Sequence, residues 1–282
     1  MRKLILGLIL VSFGLGLNAR IASVSWKDAL KTKKAKITVM YYENFPFTYT
    51  DKLKNVRGLE ADILQRFVEW CYDKKGVDIE LEYQPYNSFA GFYDKMKTLD
   101  NGAVGLGSVA VTPERKMEVQ FTAPYMKNKS ILVSHLGVPN ARLFEDFEKV
   151  FGEMTALVIQ GSSHEKEMME IKKLHHPKMR VKYMDSPTEL LQLIFENKEY
   201  YGYVDLISYW AFVQQRCCVM KIHRDVSLKP EYFAFMLPKQ SDWGMAFSEF
   251  FEGGFGFTAT EEYREILELY LGYEVIHSVE LY

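Results

Sequence analysis

Arg115 occupies a position in the chain that suits anion binding better than helix stability. It follows Thr112, Pro113 and Glu114 in the segment TPER. A threonine hydroxyl suits the N-cap of a helix, proline suits the first helical position, and an acid suits the positive helix end. A cation in the first turn opposes the helix dipole, but beside free backbone amides it can grip a small carboxylate or phosphate with two parallel hydrogen bonds. An ion pair with a neighbouring glutamate is an equally open alternative.

Asp205 and the pair Ser162 and Ser163 are further candidates for contact with a small ligand. Asp205 ends a predicted aromatic strand and precedes an apolar helix. It is therefore either an N-cap or a ligand for a cation, and its chemistry alone favours the N-cap. The two serines lie between a strand and a polar helix, where they offer a second helix start with free amides.

The elements that must position these residues alternate between strand and helix. Over the first 130 residues the pattern predicts three strands and two helices, and the same plan begins again at residue 156. We predict strands at 37–42, 79–83, 103–111, 156–159, 181–184 and 200–204, and helices at 59–72, 89–99, 164–174, 186–196 and 206–215. Segments 131–136 and 232–236 are prone to form strands and join the two units. The helical segment 241–271 then returns to the first unit, which indicates two lobes.

Composition and the N-terminal residues indicate which partners, location and cofactors to expect. A formal net charge of −2 leaves no basic excess, so no nucleic acid partner is expected. Residues 1–19 place Arg2 and Lys3 before an apolar run, which predicts a signal peptide cleaved near Ala19 and a periplasmic location, although an uncleaved anchor stays open. The three cysteines lack the spacing of a metal site, so we predict neither a metal nor a cofactor.

Four motifs resemble those of the family 3 solute-binding proteins, the periplasmic receptors of polar amino acid ABC transporters. They are TPERK, FTAPY, the turn Phe45-Pro46-Phe47 and GLEADILQRF, and the resemblance extends over residues 36–271. It implies an α/β, two-lobed periplasmic-binding-protein-like fold, in which each lobe is a mainly parallel sheet flanked by helices and two strands form the hinge. We accordingly expect a linker at 20–35, a discontinuous first lobe at 36–130 and 237–282, and a second lobe at 131–236.

The resemblance also implies roles for single residues. Arg115 matches the arginine that binds the ligand's carboxylate, and Asp205 matches the aspartate that holds its α-ammonium. The remaining implied contacts are Ser108 through its backbone, Ser162 and Ser163 in the turn of the second lobe, and Phe45 and Tyr42 as stacking aromatics. Two features depart from the family pattern. Ala110 replaces a common threonine, and the stretch YYGYV before Asp205 is expected to narrow the pocket or change its ligand.

The function implied is capture of a small amino-acid-like ligand by a monomer and its delivery to an ABC permease in the inner membrane. No catalytic residue is expected, since motifs such as GxSxG and HExxH are missing from the sequence. An enzyme on the same fold, dehydratase-like or related to the cell wall, is the main alternative, with Glu43 as the acid to test. A ligand sensor and a protein-binding module also stay open.

Overall fold

The computed structural model describes residues 24–273 and 276. The predicted signal peptide at 1–19 lies outside these residues. Within the part of the chain that is described, no helix has both the length and the apolar character needed to cross a membrane.

Ten α-helices and fourteen strands form the described part of the chain. The helices are α1 (Trp26–Thr32), α2 (Leu59–Lys75), α3 (Phe89–Lys97), α4 (Pro113–Glu118), α5 (Phe147–Phe151), α6 (Ser163–His175), α7 (Pro187–Glu196), α8 (Leu206–Arg216), α9 (Gly244–Glu252) and α10 (Glu261–Leu271). The strands are β1 (Lys34–Tyr42), β2 (Tyr49–Thr50), β3 (Val56–Arg57), β4 (Asp78–Tyr86), β5 (Ala103–Leu106), β6 (Gln120–Phe121), β7 (Met126–Asn128), β8 (Ser130–Ser134), β9 (Thr155–Ile159), β10 (Arg180–Met184), β11 (Tyr200–Asp205), β12 (Lys221–His223), β13 (Glu231–Phe233) and β14 (Met236–Leu237).

Two five-stranded sheets carry this architecture. The first has the order β4-β1-β5-β14-β6, and the second has the order β10-β9-β11-β8-β12. In each sheet three neighbouring strands pair in parallel, and the remaining two strands are joined through antiparallel pairings. The predicted mainly parallel α/β fold is therefore confirmed. The antiparallel ribbon of β7 and β13 lies in the chain where it passes between the two sheets, and Glu231 faces Asn128 across it.

The segment interpreted as a basic linker at 20–35 contains a packed helix, which corrects that prediction. Ser25 caps α1, and Trp26 and Ala29 are buried. The ring of Trp26 lies 5.1 Å from that of Trp243, and its amide donates to Asp242 at 2.8 Å. Several lysines conceal this helix in the sequence, but its two buried apolar residues are three positions apart and share one face.

The strand predicted at 103–111 ends at Leu106, because the backbone turns sharply at the next two residues. Ser108 has a φ of 48°, in the left-handed region that non-glycine residues rarely adopt. Its amide donates to a carboxylate oxygen of Glu60 at 3.0 Å. This bond anchors the turn to α2.

Glu60 is a fully buried acid that joins three segments of the first sheet's layer. One of its oxygens accepts from the Tyr125 hydroxyl at 2.8 Å as well as from Ser108, and the other accepts from the Thr48 hydroxyl at 2.9 Å. Burial raises the pKa of Glu60 from 4.5 to about 7, although these hydrogen bonds lower it. The carboxyl therefore titrates in a range where an exposed glutamate is fully ionised.

Glu60→Gln should change how stability depends on pH. Between about pH 4.5 and 7 the folded protein holds a proton on Glu60 that the unfolded chain has released, so stability falls as pH rises through this window. The slope is at most about 1.4 kcal/mol per pH unit. Urea unfolding at several pH values should give a steeper fall of stability in the wild type than in Glu60→Gln, by up to this amount, while the raised pKa of Asp205 contributes equally to both proteins. Asp73→Asn, on the exposed face of α2, should keep the slope, and a wild-type slope in Glu60→Gln would contradict the assignment.

The tyrosines that precede Asp205 lie in the core of the second sheet's layer, which corrects the expectation that they narrow the pocket. Tyr201 stacks on Phe151 with ring centroids 4.2 Å apart, and both rings are buried. The hydroxyl of Tyr203 donates to the Val226 carbonyl at 2.7 Å. Strand alternation explains the error, because residues 201 and 203 share the strand face opposite to that of Val204.

Tyr201 and Tyr203 should respond oppositely to loss of their hydroxyls. The buried hydroxyl of Tyr201 has no hydrogen-bond partner among the described residues, so Tyr201→Phe should stabilise the protein by about 1 kcal/mol. Tyr203→Phe strands the Val226 carbonyl and should destabilise by a similar amount. Urea midpoints measure both changes. Destabilisation by Tyr201→Phe would show that its hydroxyl finds a partner in solution.

Candidate ligand-binding site

A small cavity lies between the two sheets and is lined by residues from both. It offers about 50 Å³ of space to water-sized molecules. Its walls are made by Tyr42, Asn44, Phe89, Gly107, Ser108, Ala110, Arg115, Ile159, Ser162, Ser163, His164, Pro187, Asp205 and Phe233. Six of the seven predicted site residues are in this set, and Phe45 is the exception.

Arg115 is placed by the start of α4 as the sequence predicts. The Thr112 hydroxyl accepts from the Arg115 amide at 3.2 Å and so caps the helix. Arg115 is buried, and the residue is only 8% exposed to solvent. Its guanidinium lies 5.1 Å from the ring centre of Phe89 and 5.5 Å from that of Tyr93. Burial lowers the pKa of Arg115, but an arginine stays charged at any physiological pH.

Two backbone carbonyls accept from the Arg115 guanidinium, one from each side of the cleft. Nη1 donates to Ala110 O at 2.8 Å, and Nη2 donates to Gly161 O at 3.0 Å. These bonds use two of the five donors that a guanidinium carries. The alternative of an ion pair with the adjacent acid is not realised, because Glu114 pairs with Lys166 at 2.7 Å.

Asn44 and Ser108 form a polar group on the same wall as Arg115. Asn44 Nδ2 donates to Ser108 Oγ at 2.8 Å, and Ser108 Oγ donates to the Gly107 carbonyl at 2.8 Å. Ser208, at the start of α8, donates to Asn44 Oδ1 at 3.4 Å. Tyr42 likewise reaches across the cleft, where its hydroxyl donates to the Asp185 carbonyl at 2.6 Å. Tyr42 and Arg115, which the sequence predicts to bind the ligand, thus form hydrogen bonds between the two walls.

Ser162 and Ser163 begin α6 on the opposite wall. The Ser162 hydroxyl caps the helix by accepting from the Glu165 amide at 3.1 Å. His164 follows them directly and also lines the cavity. The turn thus brings a helix start to the cleft, facing the helix start that carries Arg115.

Asp205 ends β11 in the N-cap position of α8, but its side chain makes no capping bond. Its Oδ1 instead accepts from Asn128 Nδ2 at 2.8 Å and lies 3.8 Å from His164 Nε2. Burial raises the pKa of Asp205 from 3.8 to about 6, and nearby His164 lowers it. The carboxyl lines the cavity, so Asp205 holds the N-cap position of α8 without capping the helix through its side chain.

Phe45 lies away from this cavity, which separates it from the other predicted contacts. It lines a different pocket with Trp210 and Tyr270, and its ring centre is 4.9 Å from that of Tyr49. Asn44, one residue earlier, lines the ligand cavity instead. A cis peptide bond joins Phe45 to Pro46 within this turn.

Sequence reasoning missed several cavity residues, chiefly Asn44, Phe89, His164, Pro187 and Phe233. Two of these had a readable signal. Phe89 begins a helix after the N-cap Ser88, and Pro187 begins one after the N-cap Ser186, so both stand at helix starts like Arg115. Glu43, the acid considered for catalysis, is exposed and accepts from the Thr50 hydroxyl.

His164, Asp205 and Glu231 form a group that could hold a metal ion. Each offers one ligand atom, and these atoms all lie within 4.8 Å of one another. A cavity with a buried guanidinium on one wall and a carboxylate on the other suits a small zwitterion as well. The arrangement therefore permits either a charged ligand across the cleft or a cation at its second wall.

The fold is similar to those of solved amino-acid-binding proteins. An ABC uptake transporter substrate-binding protein from Streptococcus pneumoniae with bound histidine superposes with a TM-score of 0.67 at 18% identity, covering 89% of this chain and 97% of that one. The ancestral amino acid-binding protein AncCDT-1, a precursor of cyclohexadienyl dehydratase, superposes with a TM-score of 0.65 at 18% identity, covering 87% of this chain and 98% of that one. At these identities the likeness shows the fold alone.

A curated relative carries the name of an enzyme, in contrast to the solved binding proteins. Membrane-bound lytic murein transglycosylase F of Ectopseudomonas mendocina is 24% identical over 165 residues, which are 58% of this chain and 30% of that protein. This chain thus spans less than a third of the length of the curated relatives it matches. The model of the bacterial extracellular solute-binding proteins, family 3, matches residues 37–272. The chain therefore belongs to family 3 of the bacterial extracellular solute-binding proteins.

Proposed function

We propose that this protein captures a small amino-acid-like ligand between its two lobes and presents it to an ABC permease. The observation that carries the proposal is the placement of Arg115 and Asp205 on opposite walls of one cavity. A guanidinium binds a carboxylate with paired hydrogen bonds, and a buried carboxylate binds an ammonium group. The two charges together match the two ends of an α-amino acid.

Polar groups near each charge support the same ligand class. Asn44 and Ser108 stand with Arg115, and Ser162 and Ser163 offer a helix start whose amides favour an anion. Charge-assisted hydrogen bonds contribute roughly 1.5 to 3 kcal/mol each. A few of them, with contact to the Phe89 ring, would reach micromolar affinity, about −8 kcal/mol.

The lobes must separate and close around the ligand in this proposal. The cavity of about 50 Å³ is well below the roughly 300 Å³ of ordinary ligand pockets. Nη2 of Arg115 already bonds Gly161 across the cleft, so an incoming carboxylate exchanges that bond for its own. Because the ligand contacts both walls only after closure, binding shifts an open-closed equilibrium that a transporter can detect.

Two lobes and a location in the periplasm belong to the function that we propose. Residues 36–130 and 237–282 would form the first lobe and 131–236 the second, with the ribbon of β7 and β13 between them. Residues 274–275 and 277–282 of this division lie outside the described residues. A monomer in the periplasm would meet its permease at the inner membrane. The family description as extracellular proteins supports export. Catalysis on the same fold is the alternative, since the curated relatives are transglycosylases by name.

A thermal-shift screen of residues 20–282 against amino acids, small peptides and organic acids should find a stabilising ligand. At about 100 times its dissociation constant a ligand adds roughly 2.7 kcal/mol, which is a shift of several degrees. Arg115→Met should abolish the shift for every carboxylate. Asp205→Asn should weaken ligands that carry an amine and spare those without one.

Arg142→Met provides the matched control, because Arg142 is exposed and does not line the cavity. It should bind like the wild type. Equal affinity in Arg115→Met and wild type would remove the central assignment. The hit should also be recovered chemically unchanged after incubation, whereas its conversion would favour the enzyme.

A further inference from the structure

A second polar cluster meets at the junction of the β7–β13 ribbon with the second sheet. Asp205 comes from the end of β11, His164 from the first turn of α6, and Glu231 from the ribbon. Their ligand atoms, one imidazole nitrogen and two carboxylate oxygens, all lie within 4.8 Å of one another. His164 Nε2 is 3.8 Å from Asp205 Oδ1. Two carboxylates held so close in a shielded place favour a cation between them.

Asn128 gives an independent indication of a ligand at this cluster. It lies opposite Glu231 in the ribbon, so the two side chains share a face. The residue is 2% exposed, and its amide head is directed at Asp205, to which Nδ2 donates at 2.8 Å. Its other atom, Oδ1, is buried without a hydrogen-bond partner among the described residues. A buried amide oxygen without a partner is costly, and a bound cation would satisfy it.

Ser130 shows that the cluster members already converge on a shared centre. Its hydroxyl oxygen lies 2.8 Å from His164 Nε2 and 3.2 Å from a carboxylate oxygen of Glu231. The hydroxyl therefore bridges the imidazole and the acid. A metal ion bound by His164, Asp205 and Glu231 would lie between their ligand atoms, at about 2.0 to 2.2 Å from each. The three side chains would therefore move closer together.

We propose that His164, Asp205 and Glu231 bind a divalent first-row transition ion, with the Asn128 amide oxygen beside it. One nitrogen and two carboxylate oxygens form a set that zinc and its neighbours accept, and three protein ligands leave a position open. Such an ion would tie the ribbon to α6 and β11, and hence the hinge to one lobe. The metal site shares Asp205 with the proposed amino-acid site. Because its test uses no amino acid, the metal site and the amino-acid site can be disproved independently.

Isothermal titration of metal-free protein with zinc ion tests the site. We expect one ion per chain, and at least about a 100-fold loss of affinity in both His164→Gln and Glu231→Gln, since even outer-shell changes at metal sites cost 10- to 100-fold. His175→Gln, on the same helix with its ring stacked on Phe144, should bind like the wild type. Melting curves without metal check that the two site variants remain folded.

Cobalt substitution identifies the donor atoms. The visible spectrum of the cobalt form should show nitrogen and oxygen ligands and no thiolate charge-transfer band. Such a band would assign the metal to the exposed Cys217 and overturn the proposal. Absence of stoichiometric zinc binding, or unchanged affinity in either Glu231→Gln or His164→Gln, would overturn it as well.

Discussion

The buried carboxyl of Glu60 is the constraint on which the cleft depends. It accepts from the Ser108 amide, the Tyr125 hydroxyl and the Thr48 hydroxyl, and so ties together three segments that would otherwise be separate loops. Ser108 in turn reaches Asn44, and the chain that follows Ser108 leads directly into the helix of Arg115. Burial of an acid is unfavourable by itself, and hydrogen bonds offset part of that cost. The Glu60 carboxyl thus helps to hold the first wall of the site in place, although it does not contact the proposed ligand.

The second wall is organised differently, by the start of α6 and the end of β11. The Ser162 cap and the end of β11 bring His164 and Asp205 to the cleft, while the ribbon adds Asn128 and Glu231. Arg115 links the two walls through its bond to Gly161. Opposite charges therefore face each other across the cavity from two separate frameworks, which is the arrangement that the proposed hinged receptor needs.

Sequence reasoning predicted most of the fold and part of the site, and its failures have physical causes. Strand and helix order followed from periodicity, and the α4 cap was readable in TPER because capping is a local interaction. Asp205 was misjudged on chemistry alone, since only tertiary packing shows that its side chain turns away from α8. The tyrosines of β11 and the helix α1 were misread because burial of a face depends on distant partners such as Phe151 and Trp243. Glu231 and Asn128 carry no local signal, because the ribbon that brings them together joins residues far apart in the chain.

The ion pair between Glu114 and Lys166 has a consequence for kinetics. It joins the helix of Arg115 to the helix that carries His164, at 2.7 Å, with both side chains about two-thirds exposed. An exposed pair of this kind adds little to equilibrium stability. In the proposed hinged receptor it would nevertheless break each time the cleft opens, and dissolved salt screens it over a Debye length of about 8 Å at physiological ionic strength. The rate at which solutes exchange with the cleft should therefore rise with ionic strength, while affinity changes little.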